Sequence, residues 1–422
     1  MLAASLLLAP LLITASAGRQ PAEAAAARSG VTDLWGGAIE SIALRSDGTV
    51  WAWGWDEFGV LGNGHGVYMT DTSTLYDSPV PFEVLGLNGV GHLNSIAAIA
   101  GGERHNAALD ASGNVWTWGW NYFGQLGIGT ACSSMSSPDC MATTPAPIPG
   151  FTAVKAIAAR GYHTLVLKRD GTVWAWGYNY GGRLGDGTTT DRRSPVPVGG
   201  LSGHGGVAVI SGGGDVSAAL MADHSLMAWG TNDHGAVGNG TISDSGQWTP
   251  VAVSQSTGLT NVKAIATGWD HMVALDQDGN VWTWGDNDDG ELGNGTTISS
   301  SLPIKVSGLS HIQGVSAGDG STVVLDANGH VWAWGALRHG NGTPFSYGPT
   351  PVEVAGIDNV TLVRARDWHV LALKSDGTVW AWGSNQRGEI GNNTVGGNTD
   401  QPVQVWFPNF LTQSLFLPFI QR

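Results

Sequence analysis

The sequence predicts an all-β fold built from seven copies of one unit, and three observations lead to this prediction. First, the segment Val-Trp-Ala-Trp-Gly or a close variant recurs, ending at Gly54, Gly119, Gly177, Gly230, Gly285, Gly335 and Gly383. Neighbouring copies lie roughly 50 to 65 residues apart, a period typical of propeller blades and solenoid units. Second, two apolar runs flank an Asp-Gly pair in most copies, which is a strong hairpin signal. Third, helical periodicity is absent after the N-terminal stretch.

The strands follow from the pattern inside one copy. Trp174 and Trp176 are two residues apart, so on a strand both point to one face, whereas Val173 and Ala175 point to the other. Apolar residues on both faces indicate a sheet that packs between two neighbours. Glycine supplies 64 of the 422 residues and clusters at the predicted strand ends, where tight turns require positive φ.

A proline-containing strand follows each copy and sets the predicted topology. The first is Pro79–Phe82 and the last is Pro402–Val405. We expect Pro402–Val405 to pair into the blade formed by residues 32–54, because this would close the ring and remove the exposed sheet edges. The prediction is therefore a closed seven-bladed β-propeller with a C-terminal latch strand that completes the first blade.

These residues resemble the regulator of chromosome condensation family, also called alpha-tubulin suppressor-like repeats. The resemblance rests on the hairpin, the Trp-x-Trp-Gly strand and the Gly-x-Asn-x-x-Gly-x-Leu-Gly-x-Gly-Thr loop, and it covers about residues 32 to 405. The chain is identified as an exported bacterial member. It also resembles, in architecture, the secreted propeller-type β-lactamase inhibitory protein. The family founder acts on chromatin and a small GTPase, so the resemblance implies guanine-nucleotide exchange as an alternative function.

The two ends of the chain differ in composition from the repeats. An apolar stretch at 2–13 precedes Ala15-Ser16-Ala17, a small-x-small cleavage pattern typical of signal peptides. The predicted organisation is a signal peptide at 1–17 (ending as late as about 26), an Ala-rich linker at 18–31, the propeller at 32–405 and an apolar tail at 406–422. We expect a secreted or cell-surface protein; the alternative is a cytoplasmic one. The tail either packs on blade one or seven or anchors the protein to a surface.

The cysteines agree with export, and the net charge disfavours two classes of partner. Cys132 and Cys140 are the two cysteines, and both lie in the insertion that lengthens copy two. In an oxidising compartment they would form a disulfide, the alternative being two free thiols. The formal net charge is −15 and no Lys/Arg run occurs, which disfavours nucleic acid and anionic membranes as partners. We predict a monomer without an integral membrane segment in the mature chain.

No motif predicts catalysis, a cofactor or a metal. His105, His163, His271 and His369 occupy one position in successive copies, so we expect each to bond the backbone of its own turn rather than to bind metal. The acidic stretch at 286–291 departs from the EF-hand spacing and is in register with the ordinary loop of each copy. We therefore predict that the protein is not an enzyme.

Aromatic residues outside the Trp-x-Trp motifs are the candidate ligand-binding residues: Trp55, Phe58, Trp120, Tyr122, Phe123, Tyr178, Tyr180, Tyr162, Trp269 and Trp368. They lie in the Gly-x-x-His turns and in the segments after Trp-Gly, which an up-and-down blade brings to one rim. Exposed Trp and Tyr are frequent in binding hot spots, whereas the alternative is ordinary packing over blade edges. The predicted function is a non-enzymatic, exported protein-binding module; a glycan-binding surface module is a further alternative.

Overall fold

The computed structural model describes residues 30–66, 77–130, 132–135, 137–337 and 346–408. The predicted leader, most of the linker and the tail beyond residue 408 lie outside the described residues. Within these ranges the chain forms 28 strands and three single 3-10 turns, at Leu87–Gly89, Pro138–Cys140 and Tyr180–Gly182. The same ranges hold no helix long and apolar enough to cross a bilayer.

The strands form seven antiparallel sheets of four strands each, in simple up-and-down order. Blade one comprises β1 (Val31–Gly36), β2 (Glu40–Arg45), β3 (Val50–Gly54) and β4 (Ser78–Glu83). Blade two comprises β5 (Ile96–Gly101), β6 (His105–Asp110), β7 (Val115–Trp120) and β8 (Met141–Pro147). Blade three comprises β9 (Val154–Arg160), β10 (His163–Lys168), β11 (Val173–Gly177) and β12 (Arg192–Pro197). The predicted seven-bladed, all-β architecture is confirmed.

The remaining four blades repeat this order. Blade four comprises β13 (Val207–Gly212), β14 (Val216–Met221), β15 (Leu226–Asn232) and β16 (Ser243–Ala252). Blade five comprises β17 (Val262–Thr267), β18 (His271–Asp276), β19 (Val281–Gly285) and β20 (Ser300–Lys305). Blade six comprises β21 (Ile312–Ala317), β22 (Ser321–Asp326), β23 (Val331–Leu337) and β24 (Ser346–Glu353). Blade seven comprises β25 (Val360–Ala365), β26 (His369–Lys374), β27 (Val379–Ser384) and β28 (Asn398–Gln404).

The predicted latch strand is wrong. The strand that contains Pro402 is β28, and it pairs with β27 of its own blade, where Trp380 faces Gln404. Blade one is completed by its own β4, in which Glu83 faces Trp51. Each proline-containing strand is thus the outer edge of the blade that precedes it along the chain, where a residue without an N–H is tolerated.

The loop after the third strand is held by one side chain in blades one to five and in blade seven. In blade two, Asn121 Oδ1 accepts a hydrogen bond from the backbone N–H of Leu126 at 3.1 Å, and Leu126 is buried. The same bond recurs at Asn179, Asn232, Asn287 and Asn385, and Asp56 replaces asparagine in blade one. Position 127 in this loop requires glycine, because a Cβ there would lie 2.7 Å from the indole nitrogen of Trp176 in the next blade. These contacts explain the repeated loop sequence.

A backbone carbonyl in that loop joins one blade to the next at six junctions in the part of the ring that the structure describes. In blade two it is the carbonyl of Gln125, which accepts the indole N–H of Trp176 in blade three at 2.9 Å. Equivalent bonds run from Trp118 to Val60, Trp229 to Arg183, Trp284 to Ala236, Trp334 to Glu291 and Trp53 to Glu389. The second tryptophan of the motif therefore supplies both core volume and a directed bond between blades.

The four repeated histidines strengthen the same junctions. His163 Nε2 lies 2.8 Å from Ser217 Oγ of the next blade, and that hydroxyl donates to the carbonyl of Arg183 at 2.8 Å. Because the hydroxyl proton is used by the carbonyl, Nε2–H must be the donor. His105, His271 and His369 bond Thr164, Thr322 and Ser41 in the same way. The predicted bond to the backbone of the histidine's own turn is wrong.

Burial keeps these histidines neutral. It lowers the pKa of His105, His271 and His369 to about 3 and that of His163 well below its usual value. In blade one Glu40 takes the histidine position and accepts a hydrogen bond from Asn106 Nδ2 at 3.2 Å. The side chain of Asn106 also donates to the carbonyl of Val60, at 2.9 Å, so an acid–amide pair replaces the histidine–hydroxyl pair there.

The ring closes between blades seven and one by packing. Phe407, just after β28, places its ring 5.9 Å from that of Trp51 and 5.8 Å from that of Trp53. Phe151 takes the equivalent place after β8, at 5.7 Å from Trp174 and 5.8 Å from Trp176. The closing junction is therefore built like an internal one.

Candidate functional site

Two sets of loops share one rim of the ring, which we call the loop rim. Loop one of each blade joins its first and second strands, and loop three joins its third and fourth. In an up-and-down sheet these loops leave from the same end. Tyr162 in loop one of blade three contacts Trp120 and Phe123 at loop three of blade two, with ring centroids 5.7 and 5.4 Å apart. The predicted common rim is confirmed: the Gly-x-x-His turn is loop one, and the segment after Trp-Gly begins loop three.

Seven of the ten predicted aromatic residues form one continuous set on the loop rim, which we call the aromatic cluster. Its members are Phe58, Trp120, Tyr122, Phe123, Tyr162, Tyr178 and Tyr180. The chain of ring contacts begins at Phe58 in blade one and ends at Tyr180 in blade three. The cluster therefore spans loops of three adjacent blades.

Trp120 is the buried centre of the cluster. Its ring stacks on Phe58 at 5.1 Å and on Tyr122 at 5.7 Å, and only 6% of the residue is exposed. Its indole N–H donates to the carbonyl of Met135 at 3.2 Å. Trp120 and Phe58 are both predicted ligand-binding residues, but neighbouring rings and the long loop of blade two cover them, so neither ring is accessible to a ligand.

The disulfide supports this arrangement. Cys132 and Cys140 are bonded, as predicted. Cys140 is fully buried against Phe58 and Trp120. The backbone N–H of Asn121 donates to the carbonyl of Cys140 at 2.8 Å. The bond thus ties the loop that carries Met135 to the base of the cluster.

The outer members of the cluster present surface. Tyr180 is 59% exposed, while Tyr122, Phe123 and Tyr178 are half-buried. The ring of Tyr178 lies 4.3 Å from Phe123, and the Arg183 guanidinium lies 4.6 Å from the Tyr178 ring centroid. These rings are held in place by packing and by a cation, so they are rigid as well as accessible.

Arg104 packs against two rings of the cluster. The Arg104 guanidinium lies 5.3 Å from the ring centroid of Phe58 and 5.9 Å from that of Trp120, and it pairs with Glu57 at 3.1 Å. Burial, with the neighbouring carboxylate of Glu103, raises the pKa of Tyr162 to about 12. The hydroxyl of Tyr162 is therefore neutral throughout the physiological range.

The other three predicted residues lie apart from the cluster. Trp55 stacks under the Arg387 guanidinium of blade seven at 4.9 Å. Trp269 lies across Gly214 in the neighbouring turn, where a side chain would have no room. Trp368 projects from loop one of blade seven and is exposed. The structure therefore unites seven of the ten residues and separates these three.

One exposed aromatic residue beside the cluster escaped the sequence analysis. Trp248 in β16 is 43% exposed and packs against Gly182, next to the turn that carries Tyr180. Its strand runs from Ser243 to Ala252 and is the longest in the chain's described part.

Carboxyl groups dominate the next part of the rim, which we call the acidic sector. Its members on blades four to six are Asp215, Asp233, Asp270, Asp286, Asp289, Glu291 and Asp319. Burial and then the neighbouring carboxylates raise the pKa of Asp270 to about 8. Burial raises the pKa of Glu291 to about 8 and that of Asp319 to about 6. Burial and crowding therefore oppose the ionisation of these carboxyl groups, and a basic group of a partner placed beside them would favour their charged forms.

The acidic stretch at 286–291 is an ordinary loop three. Asn287 Oδ1 accepts from the N–H of Leu292 at 2.9 Å, and a carboxylate oxygen of Glu291 accepts from the N–H of Asp289 at 3.0 Å. Across the ranges that the structure describes, no group of three or more His, Cys, Asp or Glu side chains has a geometry suited to a metal ion.

Comparisons with known proteins agree with this architecture. The repeat profile described as regulator of chromosome condensation (RCC1) repeat matches residues 47–109, 112–167, 170–220, 223–275 and 278–325. The chain is 34% identical over 268 residues to the E3 ubiquitin-protein ligase HERC2 of Homo sapiens, covering 63% of this chain and 5% of that protein. It is 32% identical over 273 residues to the Ultraviolet-B receptor UVR8 of Arabidopsis thaliana, covering 64% of this chain and 56% of the receptor. The chain thus spans less than two thirds of either relative.

Solved structures give the same result for the fold. Human WBSCR16 matches with a TM-score of 0.73 and 22% identity, over 85% of this chain and 95% of that one. Yeast RCC1 (Prp20), in its complex with Kap60, matches with a TM-score of 0.72 and 22% identity, over 88% and 86% of the two chains. From the matched repeats and the seven four-stranded blades, the chain belongs to the regulator of chromosome condensation (RCC1) repeat family.

Proposed function

We propose that this protein is a non-enzymatic binding module that captures a protein partner with its loop rim. The observation that carries the proposal is the aromatic cluster, whose outer rings are exposed while its centre is locked by packing and a disulfide. Rigid Tyr and Trp side chains give large contact areas at low entropic cost, which is why they are enriched among binding hot spots.

The cluster is not needed to build a blade. Tyr180 occupies a loop position that holds Asp233 in blade four and Asp288 in blade five, and those blades have the same four strands. The rings of blades one to three thus serve no repeat-wide structural role. This asymmetry supports a binding role for one sector of the rim.

The acidic sector adds a second requirement on the partner. It adjoins the aromatic cluster through Arg183, which contacts the ring of Tyr178 and pairs with Asp215 of blade four at 2.6 Å. A protein surface with an apolar centre and basic residues on one flank would complement both sectors. Charge complementarity of this kind mainly increases the association rate and the specificity.

We also propose that the protein acts outside the cytoplasm. The support is the disulfide between Cys132 and Cys140, since disulfides persist in oxidising compartments. The N-terminal pattern at 1–17 would supply the export signal. N-terminal sequencing of the protein recovered from the culture medium and from the cytoplasm tests this proposal, which an uncleaved cytoplasmic product would contradict.

Affinity capture tests the binding proposal. Wild-type protein and the variant Tyr122→Ala/Tyr178→Ala/Tyr180→Ala are immobilised equally, exposed to surface and secreted proteins, and compared by quantitative mass spectrometry. Loss of exposed hot-spot rings costs about 2–4 kcal/mol, or roughly 30- to 1,000-fold in affinity. We expect a defined set of proteins to be captured by wild type and lost by the variant.

A matched control changes exposed apolar residues elsewhere. Ile298 and Val395 lie in loops of blades five and seven and are exposed, so Ile298→Ala/Val395→Ala should capture the same proteins as wild type. A photo-cross-linking residue in place of Tyr180 should then label the partner directly. If the triple variant folds normally and keeps every partner, the aromatic cluster is not the binding surface. Capture of glycans instead of proteins would favour the glycan-binding alternative.

A further inference from the structure

The central channel contains a cavity that the loop-rim proposal does not use. Its volume is about 210 Å³. The first strands of blades three to six contribute mainly apolar wall residues, among them Val209, Ile265 and Val315, and blade one contributes Trp35. Three arginines complete the lining: Arg160, Arg364 and Arg366. A closed propeller needs no arginine in its channel, so these residues require an explanation.

The three guanidinium groups are fixed in place. Arg364 and Arg366 lie on the Trp35 ring, each 4.9 Å from its centroid. Arg160 reaches across the channel from blade three and donates to the carbonyls of Thr267 and Ala317 in blades five and six. Arginine presents a planar set of donors suited to carboxylates, and fixing it in advance reduces the entropy lost on binding.

The charges of these arginines are not fully compensated. Arg160 pairs with Asp367 at 3.0 Å, and Arg364 pairs with Asp33 at 2.8 Å. Arg366 is buried and forms no ion pair among the residues that the structure describes; it donates to the carbonyl of Gly101 at 3.1 Å.

The carboxyl group of Glu40 does not supply the missing charge. Burial raises the pKa of Glu40 to about 8 in spite of Arg366, so this group is neutral at pH 7. In the described part of the chain the Nε–H groups of Arg160 and Arg366 also lack acceptors. Asp367, which pairs with Arg160, also attracts Arg366, so two buried guanidinium groups share one carboxylate. Burying more positive than negative charge is costly, and an anion in the channel would relieve that cost.

We propose that the central channel binds a small carboxylate, with its anionic group at Arg366 and Arg160 and a short apolar arm along Val209 and Ile265. The wall chemistry selects this class, because a bare inorganic anion would leave the aliphatic side chains without a partner. The size of the cavity sets the limit, since pockets for drug-sized ligands hold about 300–1,000 Å³. The ligand is therefore an acid of a few carbon atoms.

Calorimetric titration with three ligands of one shape tests the charge requirement. Butyrate, butyramide and butylammonium share the alkyl arm and carry a negative, neutral and positive head group. We expect saturable binding of butyrate by the full chain at pH 7, with the other two at least about tenfold weaker. Sodium nitrate, titrated in parallel, measures what an inorganic anion achieves alone.

Two variants locate the site. Arg366→Met removes one of the two guanidinium groups that share Asp367. Val209→Trp fills the cavity and leaves every arginine in place, because Val209 is 39% exposed and lines the channel. Both should weaken butyrate binding about tenfold or more. Val90→Trp, at a position 78% exposed outside the channel, is the matched control and should bind as wild type does.

Four results would overturn the proposal. These are an absence of butyrate binding, equal binding of butyrate and butyramide, nitrate binding as tight as that of butyrate, and full butyrate affinity in a folded Val209→Trp protein. The second variant keeps the test decisive if Arg366→Met fails to fold.

Discussion

Phe407 should contribute as much to ring closure as Phe151 contributes to an internal junction. Each phenylalanine follows the last strand of a blade and packs on both tryptophans of the next Trp-x-Trp motif, at 5.9 and 5.8 Å for Phe407 and at 5.7 and 5.8 Å for Phe151. Both side chains are half-buried. The perturbation is Phe407→Ala, compared with Phe151→Ala in the same background.

The expected cost follows from burial. Truncating a fully buried phenylalanine costs about 3–5 kcal/mol. A half-buried ring should lose roughly half of that value, so we expect about 2 kcal/mol for each variant, or roughly 30-fold in the folding equilibrium. Because the two sites lie at junctions two blades apart and share no partner, the double variant should lose about 4 kcal/mol.

Urea unfolding followed by tryptophan fluorescence measures both effects, since the tryptophans at each junction report on its packing. An unchanged slope with a lower midpoint would indicate lost stability rather than a changed unfolded state. The reasoning is refuted if Phe151→Ala is destabilised as expected while Phe407→Ala unfolds at the wild-type midpoint. In that case the ring closes without the segment after β28.

Three further predictions concern charge, the disulfide and the junction bonds. In the native protein Asp270 has a pKa of about 8, whereas an unfolded aspartate has a pKa of about 4. The stability that protonated Asp270 contributes is therefore present below about pH 4 and lost as the pH rises from about 4 to 8. Asp270→Asn should stabilise the protein more at pH 8 than at pH 4, as measured by urea unfolding. Cys132→Ala/Cys140→Ala should lose about 2–3 kcal/mol by the chain-entropy estimate, and mild reduction of wild type should lower its midpoint equally. Trp176→Phe leaves a junction carbonyl short of one donor and should lower the free energy of unfolding by about 1–3 kcal/mol. The indole of Trp174 bonds only the exposed Thr172 hydroxyl, so Trp174→Phe should lower it by less than about 1 kcal/mol. Equal losses in the two variants would contradict the role of the junction bond.

The repeat pattern was sufficient for the number of blades but not for their boundaries. A proline-containing strand that lies between two hairpins can be either the last strand of the earlier blade or the first strand of the later one. In a circular array this ambiguity recurs at every blade, so the repeat pattern alone does not resolve it. The position of proline could have decided the matter. Val80 and its neighbours in β4 are half-exposed, as expected for an outer edge where proline is tolerated, whereas β2 is almost entirely buried.

The common rim was predicted correctly because the assignment of a proline-containing strand to the earlier or the later blade does not affect it. With either assignment, the Gly-x-x-His turn and the segment after Trp-Gly leave from the same end of the sheet. Exposure within the rim was not predictable, since it depends on which ring covers which. Trp120 and Tyr180 have similar surroundings in the sequence, yet Trp120 lies under the disulfide-tied loop and Tyr180 is exposed. The partners of the histidines were missed for a related reason. A residue such as Ser217 is 54 positions from His163, and only the register between blades brings the two together.

The junction carbonyls have a consequence for how such a ring could change over evolution. In blades two, three, five and seven, one carbonyl accepts both an indole N–H and a hydroxyl from the following blade. Every bond in this set connects nearest neighbours, so a duplicated or deleted copy would arrive with its own donors and acceptor. A gene could therefore gain or lose a whole blade without redesigning any interface. Only the curvature of the ring, and with it the width of the arginine-lined channel, would have to adjust.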